Sequence, residues 1–286
     1  MSLSCQACYG MIPINNLYEG GMPVGSLTDS NILASQYGTS DKLNTRISIH
    51  DKYSTNKQGF GSWITDHYQF PEGASVLELG CGTGSMWKGK HGLISRCSAL
   101  ILTDFSEGMV NQAKETLNTE STIEYRTADI QAIPFPDHSF DAVIANMMLY
   151  HVPDLAKGLQ EVRRVLKEDG TFYCATFGEN GMMEYIGSLF TDYGVGTSIN
   201  TNFTLQNGKE ALSPFFTDVE KDLYEDSLAV TEVEDLVDYI FSLSGMTDLR
   251  SLPRDTVRSV LASHMKDGVL LVPKEYGMFI CRSPKA

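Results

Sequence analysis

Between Ala74 and Gly178 short apolar, β-branched runs alternate with helical ones, and this alternation constrains the fold more than any other feature. Strands are expected at 75–79, 99–103, 123–128, 141–145 and 171–176. One helix starts after Ser106, a good N-cap, and carries Met109, Ala113 and Leu117 on one stripe. A second follows Pro153, with Leu155, Leu159, Val162 and Leu166 at helical spacing and Gly170 expected as its left-handed cap. Strand–helix–strand repetition predicts an α/β fold with a doubly wound, mostly parallel sheet.

Outside this block the pattern changes. Residues 1–30 are rich in Gly, Asn, Ser and Pro, and 31–68 become helical with polar and aromatic residues. After Gly178 the alternation lapses. Strand-like 222–228, helices near 233–243 and 254–266, and strand-like 275–282 then close the chain. The expected organisation is a lead-in and helical lid (1–68), a core (69–178), an inserted cap (179–220) and a completion of the sheet (221–286).

The chemistry concentrates in Val76-Leu77-Glu78-Leu79-Gly80-Cys81-Gly82-Thr83-Gly84. An apolar strand ends at Gly80, and three glycines let the backbone turn tightly and approach a ligand with no Cβ in the way. A nicotinamide-binding loop would read G-x-G-x-x-G and seat a pyrophosphate. Here the spacing is G-x-G-x-G, and Glu78 precedes it. That carboxylate opposes a pyrophosphate but suits a ligand bearing an ammonium and a sulfonium. Asp104 ends the second strand, where a carboxylate takes the hydroxyls of a ribose. Thr127-Ala128-Asp129-Ile130 ends the third, offering an acceptor to an adenine amino group.

These residues, with Pro134-Phe135-Pro136-Asp137-His138-Ser139-Phe140-Asp141-Ala142-Val143 and Leu149-Tyr150-His151-Val152-Pro153-Asp154, resemble the class I S-adenosylmethionine-dependent methyltransferases. The likeness covers roughly residues 50–178. It implies a Rossmann-like sheet of seven strands whose last strand, 275–282, runs antiparallel beside 222–228. It also implies S-adenosyl-L-methionine as cofactor. Gly80, Cys81, Gly82 and Gly84 would form the cofactor loop, and Glu78 would act near the methionine ammonium. Asp104 would hold the ribose, with Phe105 and Met109 beside the adenine and Asp129 and Ile130 at its edge. Asn146 and Met147 would face the methionyl part and the methyl group. The Asn/Asp-Pro-Pro-aromatic motif of many base-methylating relatives is replaced by Asn146-Met147-Met148-Leu149.

Each assignment has a plainer alternative. Asp104 serves equally as a helix cap, Asp129 as a turn residue, and Met147 as core filler. Cys81 fits the loop as a small residue, not as a nucleophile. His151 is the candidate general base, or else caps the next helix. Arg46, His50, Tyr53 and Trp63 form a lid over substrate and cofactor, or one amphipathic helix packed on the sheet.

Composition narrows the acceptor. A net charge of −14 would repel a phosphate backbone, so nucleic acid is disfavoured and a small-molecule acceptor expected. Cap aromatics (Tyr185, Phe190, Tyr193, Phe203, Phe215 and Phe216) point to an apolar or aromatic one. Cys5-x-x-Cys8 lacks a second pair, so no metal is expected, and a reducing, cytoplasmic setting fits the remaining thiols. No apolar run reaches the roughly 18 residues of a membrane span. The alternatives are a non-catalytic S-adenosylmethionine-binding regulator and a nicotinamide-dependent oxidoreductase.

Overall fold

The computed structural model describes residues 48–195, 200–242 and 247–285. Residues 48–53 are helical, and α1 is Phe60–Asp66. Then come β1 (Ala74–Leu79), α2 (His91–Ile94), β2 (Cys97–Asp104), α3 (Glu107–Thr116), β3 (Ile123–Thr127), β4 (Phe140–Ile144), α4 (Leu155–Val165) and β5 (Leu166–Phe177). The chain continues through α5 (Met182–Ser188), α6 (Gly208–Leu212), β6 (Phe216–Val230), α7 (Val233–Ser242), α8 (Thr247–Ser251), α9 (Arg254–Ser263) and β7 (Leu270–Pro284).

The seven strands form one sheet in the order β3-β2-β1-β4-β5-β7-β6. Strands β1 to β5 pair in parallel, whereas β7 runs antiparallel to both β5 and β6. The sheet is therefore the expected one, reversed strand included. β1 lies between β2 and β4, so the strand order turns back there, and the carboxyl ends of these strands are where an open α/β sheet takes its ligand.

Alternate residues of each strand feed opposite faces, as a period of two requires. Leu77, Leu79, Val143, Phe172, Cys174 and Phe279 bury in one core, while Val76, Leu100, Leu102, Ile144, Tyr173 and Met278 bury in the other. A third core stands beyond the carboxyl end of β5. Phe177, the last residue of β5, pairs with Tyr276, so β7 residues 270–275 and β6 residues 225–230 run on past it. Leu228, Val230, Leu270 and Val272 there pack with Ile49 and Tyr53, Met183 of α5, Leu236 and Ile240 of α7, Leu249 of α8 and Val257 of α9.

Two local expectations change. α4 ends at Val165, and Gly170 is not in the left-handed region. Leu166–Asp169 instead form a bulge, because β4 pairs with Leu166 at Phe140 and next with Thr171 at Ala142. A Cβ on Gly170 would lie 2.9 Å from Leu166 Cδ2 and 3.0 Å from Lys167 O, so close approach explains the glycine. β6 begins at Phe216, within the stretch expected as an insert, and both β6 and β7 run longer than their apolar centres. No helix of the described residues is long and apolar enough to cross a membrane.

Candidate functional site

The glycine loop leaves β1 at the strand-order switch. Gly80, Gly82 and Gly84 have φ of 70°, 54° and 70°, in the left-handed region where a side chain is strained. Gly80 has a second constraint: its Cβ would lie 2.8 Å from Met148 Cγ, a residue arriving from the end of β4. A Cβ on Gly84 would sit 3.1 Å from that of Ala113, so the loop rests directly on α3. Cys81 N donates to Thr103 O (2.8 Å), pinning the bend to β2. The Cys81 thiol is buried, which pushes its pKa far above the ordinary range and leaves it a neutral packing group.

Asp104, the last residue of β2, closes the loop. Its Oδ2 accepts from Gly82 N (3.0 Å) and its Oδ1 from Ser106 N (2.9 Å). Burial raises its pKa, and these two N–H donors hold it down. Ser106 in turn caps α3 by accepting from Met109 N. Next to Asp104, the Phe105 ring is 48% exposed and open to a flat apolar partner. Met109 is half-buried on the same helix turn.

Glu78 lies beneath the loop with only 2% of its surface exposed. Its Oε2 accepts from the Trp87 indole N–H at 2.6 Å. Burial drives the carboxyl from its ordinary 4.5 up to about 7, Trp87 opposes the rise, and the charge of Asp104 adds to it. Beside it Tyr68 stacks between Phe70 and Trp87, and its hydroxyl accepts from Asn146 Nδ2 (2.6 Å). Asn146 Oδ1 accepts from Ala175 N. The Asn146 side chain is thus turned inward as a tie between β4, β5 and Tyr68. The following residue, Met147, takes φ of 54°, a left-handed conformation uncommon for a side chain of its size, held by its N–H to Ala175 O.

Other candidate positions spread around this pocket. Asp129 accepts from Gln131 N (2.8 Å) in the turn after β3. Ile130 buries its side chain in the first core against Gly158, leaving its backbone as what it offers a ligand. The His151 ring is solvent-accessible, 4.4 Å from the Tyr150 ring, and the surrounding protein desolvates its imidazole enough to lower its pKa. Arg46 lies outside the described residues.

His50, Tyr53 and Trp63 do not share one helix. Tyr53 is buried in the third core, its O–H donating to Asp235 of α7 (2.5 Å), and the buried His50 ring meets Tyr239 of that core edge-on. Trp63 sits on α1 and stacks on Phe60, which meets Tyr224 and Tyr276 at 5.2 and 5.0 Å. α1 thereby spans the carboxyl edge, its Gly61 reaching Met86 beyond the loop. Among the cap aromatics, Phe190, Phe203 and Phe216 are fully buried in cores.

Residues 77–174 match the family described as "Methyltransferase domain". About a third of the chain is therefore similar to a methyltransferase domain. Over 110 residues it is 33% identical to the ubiquinone/menaquinone biosynthesis C-methyltransferase UbiE of Escherichia coli, covering 37% of this chain and 44% of that protein. Over 143 residues it is 31% identical to the mitochondrial arginine-hydroxylase NDUFAF5 of Rattus norvegicus, covering 48% and 39%. The chain thus spans less than half the length of these curated relatives. The fold recurs in phosphoethanolamine N-methyltransferase 2 of Haemonchus contortus, solved with S-adenosyl-L-methionine. The TM-score there is 0.55 at 16% identity, covering 92% of this chain and 61% of that one.

Tyr68 and Trp87 are site residues that sequence reasoning missed. Neither lies in the glycine motif, and an aromatic residue before a strand reads as ordinary core. Only the fold brings them to Glu78 and Asn146.

Proposed function

We propose that this chain is an S-adenosylmethionine-dependent methyltransferase acting on a small-molecule acceptor. The observation that carries the reading is the Asp104–Gly82 contact, which sets a carboxylate against a left-handed glycine bend at the strand-order switch. The donor set fits the cofactor. Glu78 and Asp104 supply two carboxylates to a ligand with an ammonium, a sulfonium and a ribose diol. Phe105 offers an exposed face to an adenine. A pyrophosphate ligand would meet both carboxylates, which argues against a nicotinamide cofactor.

When bound, the cofactor supplies an electrophilic methyl group for in-line displacement. The chain's own residues hold, orient and exclude water. In this reading Glu78 receives the ammonium, Asp104 the ribose hydroxyls, and the backbone at Asp129 and Ile130 the adenine edge. The Tyr68–Asn146–Ala175 tie aims the strained Met147 backbone at the methyl position, so Asn146 acts by positioning. Phe60, Met148 and Tyr276, partly buried against the first core, wall the acceptor side. His151, with its lowered pKa, is neutral at pH 7 and able to take a proton from a hydroxyl acceptor. Residues 48–66 act as lid and the elements between Glu179 and β6 as cap.

A small molecule is supported by the net charge of −14, which opposes nucleic acid. The four described cysteines are free, which supports a reducing compartment. The match to an arginine-hydroxylase sustains a second reading, in which the same pocket serves something other than methyl transfer. Methyl-labelled S-adenosylmethionine offered with a panel of phenolic, carboxylic and amine acceptors separates them. Labelled product supports the first reading; tight binding with no transfer to any class supports the second. Asp104→Ala and Asp104→Asn are each expected to weaken S-adenosylmethionine binding at least about tenfold, roughly the worth of one charge-assisted hydrogen bond. Unchanged calorimetric titrations would remove Asp104 from the site.

A further inference from the structure

The pocket holds two carboxylates and, among the described residues, no cation. The groups facing Glu78 are the Trp87 indole from the turn after the glycine loop and the Tyr68 hydroxyl from the segment before β1. The Cys81 thiol of the loop and the Asp104 carboxylate at the end of β2 complete the set. None carries a positive charge. The two acids are not equivalent. Asp104 is half-buried and both its oxygens accept backbone N–H bonds. Glu78 is buried, has one donor on Oε2, and receives no hydrogen bond on Oε1 from the described residues. Of the pair, Glu78 is therefore the one that keeps its proton to the higher pH in the empty pocket, since an unpaired buried charge beside a like charge is the costlier arrangement.

Resting on the methyltransferase reading, we infer that the pocket takes its cationic ligand by exchange, with Glu78 surrendering a proton to solvent as the ligand's ammonium arrives. The ammonium keeps its own protons. The carboxyl O–H bond breaks, the electron pair stays on Glu78, and the resulting carboxylate pairs with the incoming cation. In the empty protein that carboxyl titrates at about 7. Affinity therefore rises as pH rises through neutrality, because less of the empty protein has a proton to lose. Occupancy becomes a function of pH in the interval where the pH around a protein commonly varies.

The test is calorimetry of S-adenosylhomocysteine, which carries the ammonium without the sulfonium, binding to the whole chain in two buffers of unlike ionisation enthalpy. Nearly one proton per ligand is expected to be released at about pH 6 and about half a proton at about pH 7, with binding about fivefold weaker at the lower pH. Glu78→Gln is expected to bind more weakly, with the same heat in both buffers and a flat affinity over that interval. Trp87→Phe removes the donor that favours the carboxylate, so more than half a proton is expected at about pH 7. Equal heats in the two buffers for the wild-type chain would overturn the inference, as would undiminished proton release from a folded Glu78→Gln protein. Absence of any heat at every pH would instead defeat the cofactor reading on which the inference stands.

Discussion

Gly80 lies under two demands that a single methyl group would violate together: a φ of 70° and a Met148 side chain 2.8 Å from where its Cβ would be. Gly80→Ala is expected to cost about 1–2 kcal/mol from the left-handed backbone alone, read in urea unfolding. It should also push Met148 out of place and weaken cofactor binding. Glu78 predicts the opposite trade. Its folded-state pKa, about 7, lies above its ordinary 4.5, so the native state binds the proton more tightly than the unfolded chain. The resulting penalty is absent below about pH 4.5 and full above about pH 7. Glu78→Gln should therefore make the empty protein roughly 2–3 kcal/mol more stable at pH 8 and leave it unchanged at pH 4.5 while weakening the site. At this scale the glycines, Glu78 and Asp104 were legible because they sit within one strand–turn–strand unit. Tyr68, Trp87 and the inward turn of Asn146 were not, since their partners lie on separate strands.

The segment 54–56 fastens the residues before α1 to the edge strand β6. Asp226 accepts from Ser54 Oγ (2.5 Å), Thr55 Oγ1 (3.2 Å) and Asn56 N (2.9 Å), and pairs with the Lys274 ammonium of β7. The two side chains of that ion pair are only 2% (Lys274) and 0% (Asp226) exposed. Removing one partner leaves the other's buried charge without its counter-ion. Asp226→Ala should cost about 3–5 kcal/mol, whereas Asp226→Leu combined with Lys274→Met should recover much of that loss. Urea titrations of the three proteins measure it, and equal stabilities would show the pair to be a bystander.

The regular helices and the parallel strands were readable from apolar period and caps, because each buries one side on the same sheet. β6 was half read. It is an edge strand whose Thr217, Asp218, Glu220 and Glu225 face solvent, so its ends carry polar residues that look like loop. Gly170 was misread for a related reason. A glycine just past an apolar helix stripe suggests a cap, and only the pairing of β4 with β5 exposes the bulge that needs it.

Across the whole molecule, two cores sandwich the sheet and a third rises beyond the carboxyl end of β5, built by overlong β6 and β7 and the helices between them. That third core fixes where residues 48–53 lie and so where α1 crosses the carboxyl edge. The sheet's doubly wound, mostly parallel character followed from the alternation of the central block and its antiparallel last strand from the family resemblance, but the third core followed from neither, since it joins residues from 49 to 272. It also explains why buried aromatics of the cap, such as Phe190, say little about the acceptor. His151 stands at the accessible side of this arrangement. His151→Ala is expected to slow transfer to hydroxyl acceptors several-fold, toward the 10²-fold lower bound for a general base, and to leave cofactor affinity intact. An unaltered rate would dismiss it as a base.

The central claim is tested most directly by a crystal structure grown with saturating S-adenosylhomocysteine. The account predicts the ribose hydroxyls on the Asp104 carboxylate, the ammonium within hydrogen-bond reach of Glu78, and the adenine against Phe105. A pocket left vacant at saturation, or a ligand seated away from the Gly80–Gly84 bend, would contradict it.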